Sequence, residues 1–91
     1  MTVEEFREYA RIDDGETDST LEFYISAGLS FVESAVGEYN DENEKEKLLA
    51  LSAAAFLYDN RQMYVTQAAR RRLNAMYNSL ILQCQLEMDE V

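Results

Sequence analysis

The chain has 91 residues, 47% of them hydrophobic, with three Gly, one Cys, no Pro and no His. That composition excludes a disulfide framework and any His-based metal or acid–base site. The net charge of −10 is unevenly divided: residues 1–46 hold fourteen acids and three bases, residues 47–91 four acids and five bases, so a body this acidic is not expected to hold DNA sequence-specifically.

Thr2 and Glu5 form a T-x-x-E capping box, opening a short helix to about Ala10 with Val3, Phe6 and either Tyr9 or Ala10 on one face. Arg11 to Thr20 then reads as a loop of Asp, Gly, Glu and Thr pinned by Ile12. Asp18 or Ser19 starts a second helix, Ser19 and Glu22 offering a second capping box. Apolar or small residues at 21, 24, 25, 28, 29, 32, 35 and 36 keep the helical i, i+3, i+4 rule, and Gly37 ends the run. Phe23 and Phe31 fall on a flanking face.

Tyr39 to Glu46 is a polar connection, with Asp41 and Glu44 expected to cap the next helix. The stretch around which the chain is organised follows: Leu48 to Tyr58 carries one polar side chain, Ser52, and no charge. A segment apolar on every side belongs inside a fold, and its Ala and Ser residues let neighbouring backbones come close. Its eleven residues fall far short of the ~20 that span a bilayer, so no membrane segment is expected. The fold class expected is all-α, one domain (1–91): a small bundle of about four helices around a central apolar helix at about 42–64.

Val65 to Asn74 has no single apolar face and reads either as a frayed helical extension or as a loop. The last helix is expected from about Ala75 to Met88, with Leu73, Met76, Tyr77, Leu80, Ile81, Cys84 and Met88 as its core stripe. Cys84 is then a small core residue rather than a reactive thiol. Leu82 and Leu86 lie off the stripe; with Phe23 or Phe31 they form either an apolar contact surface or scattered exposed residues.

Asp13, Asp14, Glu16 and Asp18 lack the spacing of an EF-hand loop and read as a turn plus a helix cap. No Gly-rich phosphate loop, zinc spacing or nucleophile–base pair appears, so no catalytic residue, cofactor or metal is expected. Arg70, Arg71 and Arg72 read as a solvated face or as a docking site for acidic protein. Arg61, at the polar end of the central helix after Tyr58, is expected to pair with the loop at Asp13 to Asp18 as a structural clasp; the alternative is an interface arginine. The charged start, Thr2 to Arg11, is unlike a signal peptide, and a reducing cytosol is the expected compartment.

Tyr9-Ala10-Arg11-Ile12-Asp13, an acidic turn, Asp18 opening a helix through Ile25-Ser26-Ala27-Gly28, and the ending Ala35-Val36-Gly37 together resemble the small head–tail connector proteins of tailed phages. The resemblance continues through the alanine-rich helix into Tyr58-Asp59-Asn60-Arg61, where the family typically has Tyr-Glu-Asn-Arg, and ends in Ser79-Leu80-Ile81-Leu82-Gln83. Two departures stand out: Asn74 where the family often has Pro, and Gln85-Leu86-Glu87 where Gln-Leu-Arg is common. Members are also labelled as possible DNA-packaging proteins.

The resemblance implies a structural virion protein, made in the bacterial host cytoplasm and located in the virion neck. It would assemble with itself as a ring below the portal protein, extend the DNA channel and dock the next neck or tail completion protein. DNA would pass without sequence-specific binding. Arg61, Arg70, Arg71, Arg72, Leu82 and Leu86 are the expected protein-interface residues; Asp13, Asp18, Tyr58 and Arg61 the expected clasp. The alternatives are a DNA-packaging factor or a cytosolic adaptor that binds a protein partner and forms no ring.

Overall fold

In the computed structural model, which describes residues 1–60 and 67–89, the chain is all-α. Helix α1 (Val3–Ala10) opens with the Thr2/Glu5 box, both of its reciprocal hydrogen bonds in place. It ends at Arg11, whose left-handed backbone (φ 54°) turns the chain so that the Ile12 N–H reaches the Arg7 carbonyl at 3.0 Å. This is a Schellman-type ending, and the reversal carries Ile12 back against the core beside Phe6 and Leu21.

Helix α2 (Asp18–Val36) is capped by Thr17, whose hydroxyl accepts the Thr20 N–H, and not by Asp18 or a Ser19/Glu22 box. Asp18 is drawn away by an ion pair with Arg7. Gly37 ends α2 with φ 107°, a conformation a β-carbon disfavours. The cap of α3 (Glu44–Asp59) is two positions from the expected Asp41: Asn43 Oδ1 accepts from Lys45 N and Glu46 N at 3.0 and 3.1 Å. Asp41 is otherwise engaged, taking the Met1 α-ammonium and the Tyr39 hydroxyl.

The most extensive helix contact in the molecule is that of α2 with α3. It centres on Gly28, where an added β-carbon would stand 2.7 Å from the Ala50 carbonyl oxygen and 3.0 Å from Ala54 Cβ. Small residues on both sides bring the two backbones together, while Val32, Val36, Leu49 and Leu57 fill the rest of the interface. The Tyr58 ring is edge-on to both Phe6 and Tyr24, which ties α1 to the far end of α3.

Beyond residue 66, α4 (Gln67–Met76) and α5 (Asn78–Asp89) stand where one last helix was expected, separated at Tyr77. Residues 65 and 66 lie outside the described residues; from Gln67 the segment read as helix or loop is helix. Helix α5 lies against α2 and α3 together, with Ile81 and Cys84 buried, and Leu73 of α4 joins the same core. Three apolar assignments change. Phe31 is 3% exposed and belongs to the core rather than the surface; Met76 is 57% exposed because α4 meets little but α5; and Leu48 is 46% exposed, so α3 keeps one open edge.

Gly28→Ala forces either the Ala50 carbonyl or the Ala54 methyl to move. It is expected to destabilise the fold by about 1–3 kcal/mol with helicity retained, read as a lower thermal midpoint by circular dichroism. An unchanged midpoint would mean the α2–α3 crossing is looser than 2.7 Å implies.

Candidate protein-interaction surface

Two features carry the sequence-expected residues: the acidic loop between α1 and α2, and the outer side of α4 and α5. The loop is gathered by Arg7, one turn before the end of α1. Its Nη1 donates to the Asp13 carbonyl at 2.5 Å, and its Nη2 donates to the Glu16 carbonyl and to Asp18 Oδ1, each at 3.1 Å. Asp13 Oδ1 closes a turn on Gly15 N–H at 2.9 Å. From α3, the Tyr58 hydroxyl donates to Glu16 Oε2 at 2.7 Å. The expected clasp residues Asp13, Asp18 and Tyr58 are therefore brought to one place, with Arg7 and Glu16 as the connecting groups. Arg61 lies outside the described residues. The signal that could have found Arg7 is its place in the last turn of α1, where a guanidinium meets the carbonyls of the chain as it leaves the helix.

In the last two helices, Arg71 and Arg72 are exposed in α4, and Leu82 and Leu86 are 51% and 53% exposed in α5. The side chain of Arg70 lies outside the described residues. Phe23, 60% exposed and edge-on to Tyr24, is a separate apolar residue on the exposed side of α2. Two bases at the start of α3 are engaged in ion pairs. Lys45 pairs with Glu87 and Lys47 with Glu5. Lys47 accordingly holds the Glu5 carboxyl below its ordinary range, Lys45 does so for Glu87, and the Met1 ammonium for Asp41.

Sequence reading missed Glu46, which is 2% exposed at the joint of the α2–α3 connection with α5. One oxygen accepts the Asn40 N–H at 2.8 Å. Burial pushes this carboxyl above the usual glutamate range, and nearby Glu38 and Glu87 push in the same direction, against the pull of the Asn40 bond. Burial also raises the Cys84 thiol, which keeps it in the unreactive protonated form. Among the described residues no group of three or more acidic, His or Cys side chains could hold a metal ion, and no helix is long and apolar enough to cross a membrane. Among the described residues, one open depression is lined by Glu4, Glu5, Arg7, Glu8 and Ile12, and another by Asn43, Glu44, Lys45 and Glu87. The chain matches no family model, no curated protein and no solved structure.

Arg7→Ala removes three charge-assisted hydrogen bonds and is expected to cost about 1–3 kcal/mol, with faster hydrogen exchange confined to residues 12–17. Arg7→Lys should recover only part, since an ammonium cannot span three acceptors in a fixed fork. Uniform exchange across all variants would contradict the clasp.

The titration of Glu46 has a defined sign. Its folded-state pKa is raised, so its contribution to stability is present below about pH 4 and lost as pH rises through the folded value. Glu46→Gln should therefore gain on the wild type as pH climbs from about 4 towards neutrality, measured by paired denaturant melts. A pH-independent difference would show that Glu46 ionises normally.

Proposed function

We propose that this protein is a structural component of a tailed-phage virion, a head–tail connector that forms a ring below the portal, lengthens the DNA channel and docks the next neck or tail completion protein. The reading draws on the sequence resemblance and on one structural observation. Leu82 and Leu86 are half exposed on α5 of a charge-rich protein, and Arg71 and Arg72 are exposed on the helix that precedes it. Two half-exposed leucines one turn apart, with arginines upstream, make a surface suited to protein contact.

The charge division fits the same role. An excess of carboxylate on the N-terminal half presents DNA with a repelling wall, along which a duplex slides rather than sticks. The basic segment offers acidic protein surfaces an oppositely charged contact. A packaging factor that grips DNA would need a larger cationic surface than Arg70 to Arg72 supply. A non-ring adaptor is the alternative, because a surface built on two leucines suits a single partner as well as a ring.

The test is solution mass across a concentration series, alone and with the cognate portal protein. Ring-sized particles, or co-migration with the portal that Arg71→Glu/Arg72→Glu weakens about tenfold or more, support the connector. A chain that neither forms rings nor binds the portal overturns that reading in favour of the adaptor.

A further inference from the structure

Among the described residues, Glu46 is the only carboxylate that is buried. On the side of the connection between α2 and α3 it accepts the Asn40 N–H at 2.8 Å, with Glu38 and Tyr39 nearby. On the side of α5 it meets the buried Cys84 thiol and Glu87. The cations at this end of the molecule are engaged elsewhere: Lys45 with Glu87, Lys47 with Glu5 and the Met1 ammonium with Asp41. An ionised Glu46 therefore has one backbone donor, two acids beside it and no paired cation among the described residues. A carboxylate in such a setting is unfavourable unless water reaches it. Burial first, and Glu38 and Glu87 after it, accordingly hold this carboxyl above its ordinary value of 4.5, against the pull of the Asn40 bond.

The two sides respond differently when the proton leaves. The Asn40 N–H donates more strongly to a carboxylate than to a neutral acid, so the connection is held more tightly, and half-buried Glu38 can turn towards water. Helix α5 offers only a weakly donating thiol and a like charge. Its end is fixed by the Gln85 Nε2 bond to the Ala35 carbonyl at 2.7 Å, by the Lys45–Glu87 pair at the surface, and by apolar contact. It docks on α2 and α3 far less extensively than these dock on each other. We propose that Glu46 is a pH-sensitive latch for α5. With Glu46 protonated, the helix from Cys84 onward stays docked; with Glu46 ionised, that end lifts from α2 and α3 and lets water reach the carboxylate.

The sign follows from the raised folded-state value: docking is complete below about pH 4 and weakens as pH rises through that value. The opening is local. The apolar cluster of Phe6, Leu21, Ile25 and Ala54 contains no residue of α5, so α1, α2 and α3 keep one core while the end of α5 moves. A glutamine at this position would accept the Asn40 N–H at every pH; the glutamate accepts it and makes the joint answer to protons. Because α5 carries Leu82 and Leu86, the latch sets how freely that helix adapts to a surface it meets. The proposal goes beyond the connector reading and stands without it.

Cys84 reports the latch, because it is the single cysteine of the chain, is buried, and lies beside Glu46. The full chain is labelled with a dithiodipyridine, which reacts with thiols in acid as well as at neutrality, in steps from about pH 4 to about pH 7. Dividing the wild-type rate by that of Glu46→Gln cancels the pH dependence of the thiol itself. The ratio is expected to stay near about one at the acid end and to rise at least about tenfold by neutrality. Labelling should depend only weakly on low urea, as a local opening requires. In the wild type alone, the Glu46 carboxyl carbon and the Gln85 side-chain amide, followed by NMR, should titrate with one midpoint, since the Gln85–Ala35 bond opens with the latch. A flat ratio, labelling with the urea dependence of global unfolding, or a Gln85 amide indifferent to Glu46 would overturn the proposal.

Discussion

Close approach of α2 and α3 is the constraint on which the other contacts depend. With no β-carbon at Gly28, the Ala50 carbonyl and the Ala54 methyl can sit against the α2 backbone. The two helices then bury two apolar clusters, one around Leu21 and Ile25 and one around Val32 and Val36, with Tyr24 and Leu29 packed against both. Helices α1 and α5 are laid on this pair, each touching both members. A chain of this length has little interior to lose, so separating the central pair would release both outer helices at once.

The polar joints are arranged around that pair. A chain with 18 acids and 8 bases cannot neutralise its carboxylates, so its few cations are placed where they hold connections in position. Arg7 gathers the loop ahead of α2, Lys47 ties α3 to α1, and Lys45 ties α3 to the end of α5. Exposed pairs of this kind contribute little individually and act mainly by fixing how the helices meet. Apart from the buried Glu46, the carboxylates left over face solvent and give the N-terminal half its negative field. A protein lining a DNA passage would use such a field to keep the duplex moving.

Helices α4 and α5 are the part of the molecule with apolar residues on two sides. Leu73, Ile81 and Cys84 belong to the core; Leu82 and Leu86 face outward beside uncharged neighbours. The inner side explains why α5 docks on α2 and α3. The outer side leaves Leu82 and Leu86 half exposed, and the connector reading rests on it.

Much of this architecture is legible in the residues themselves. Helical periodicity gave α1 and α2 their lengths, the Thr2/Glu5 box and Gly37 gave two boundaries, and the uncharged run from Leu48 to Tyr58 identified the central helix. These signals are local: each depends on residues within a turn or two, whose propensities act whatever the rest of the chain does. The tertiary structure decided what depends on competition between distant groups. Asp41 and Asp18 are sound caps by sequence, yet the Met1 ammonium and Arg7 took them, leaving Asn43 and Thr17 to cap. Phe31 went inside because it joins the cluster that Ile81 and Cys84 of α5 complete, whereas Met76 is 57% exposed on α4. Glu46 became a buried acid because the chain ahead of α3 and the end of α5 close over it. Periodicity tells which residues share a helix face; only the packing of the other helices tells whether that face meets protein or water.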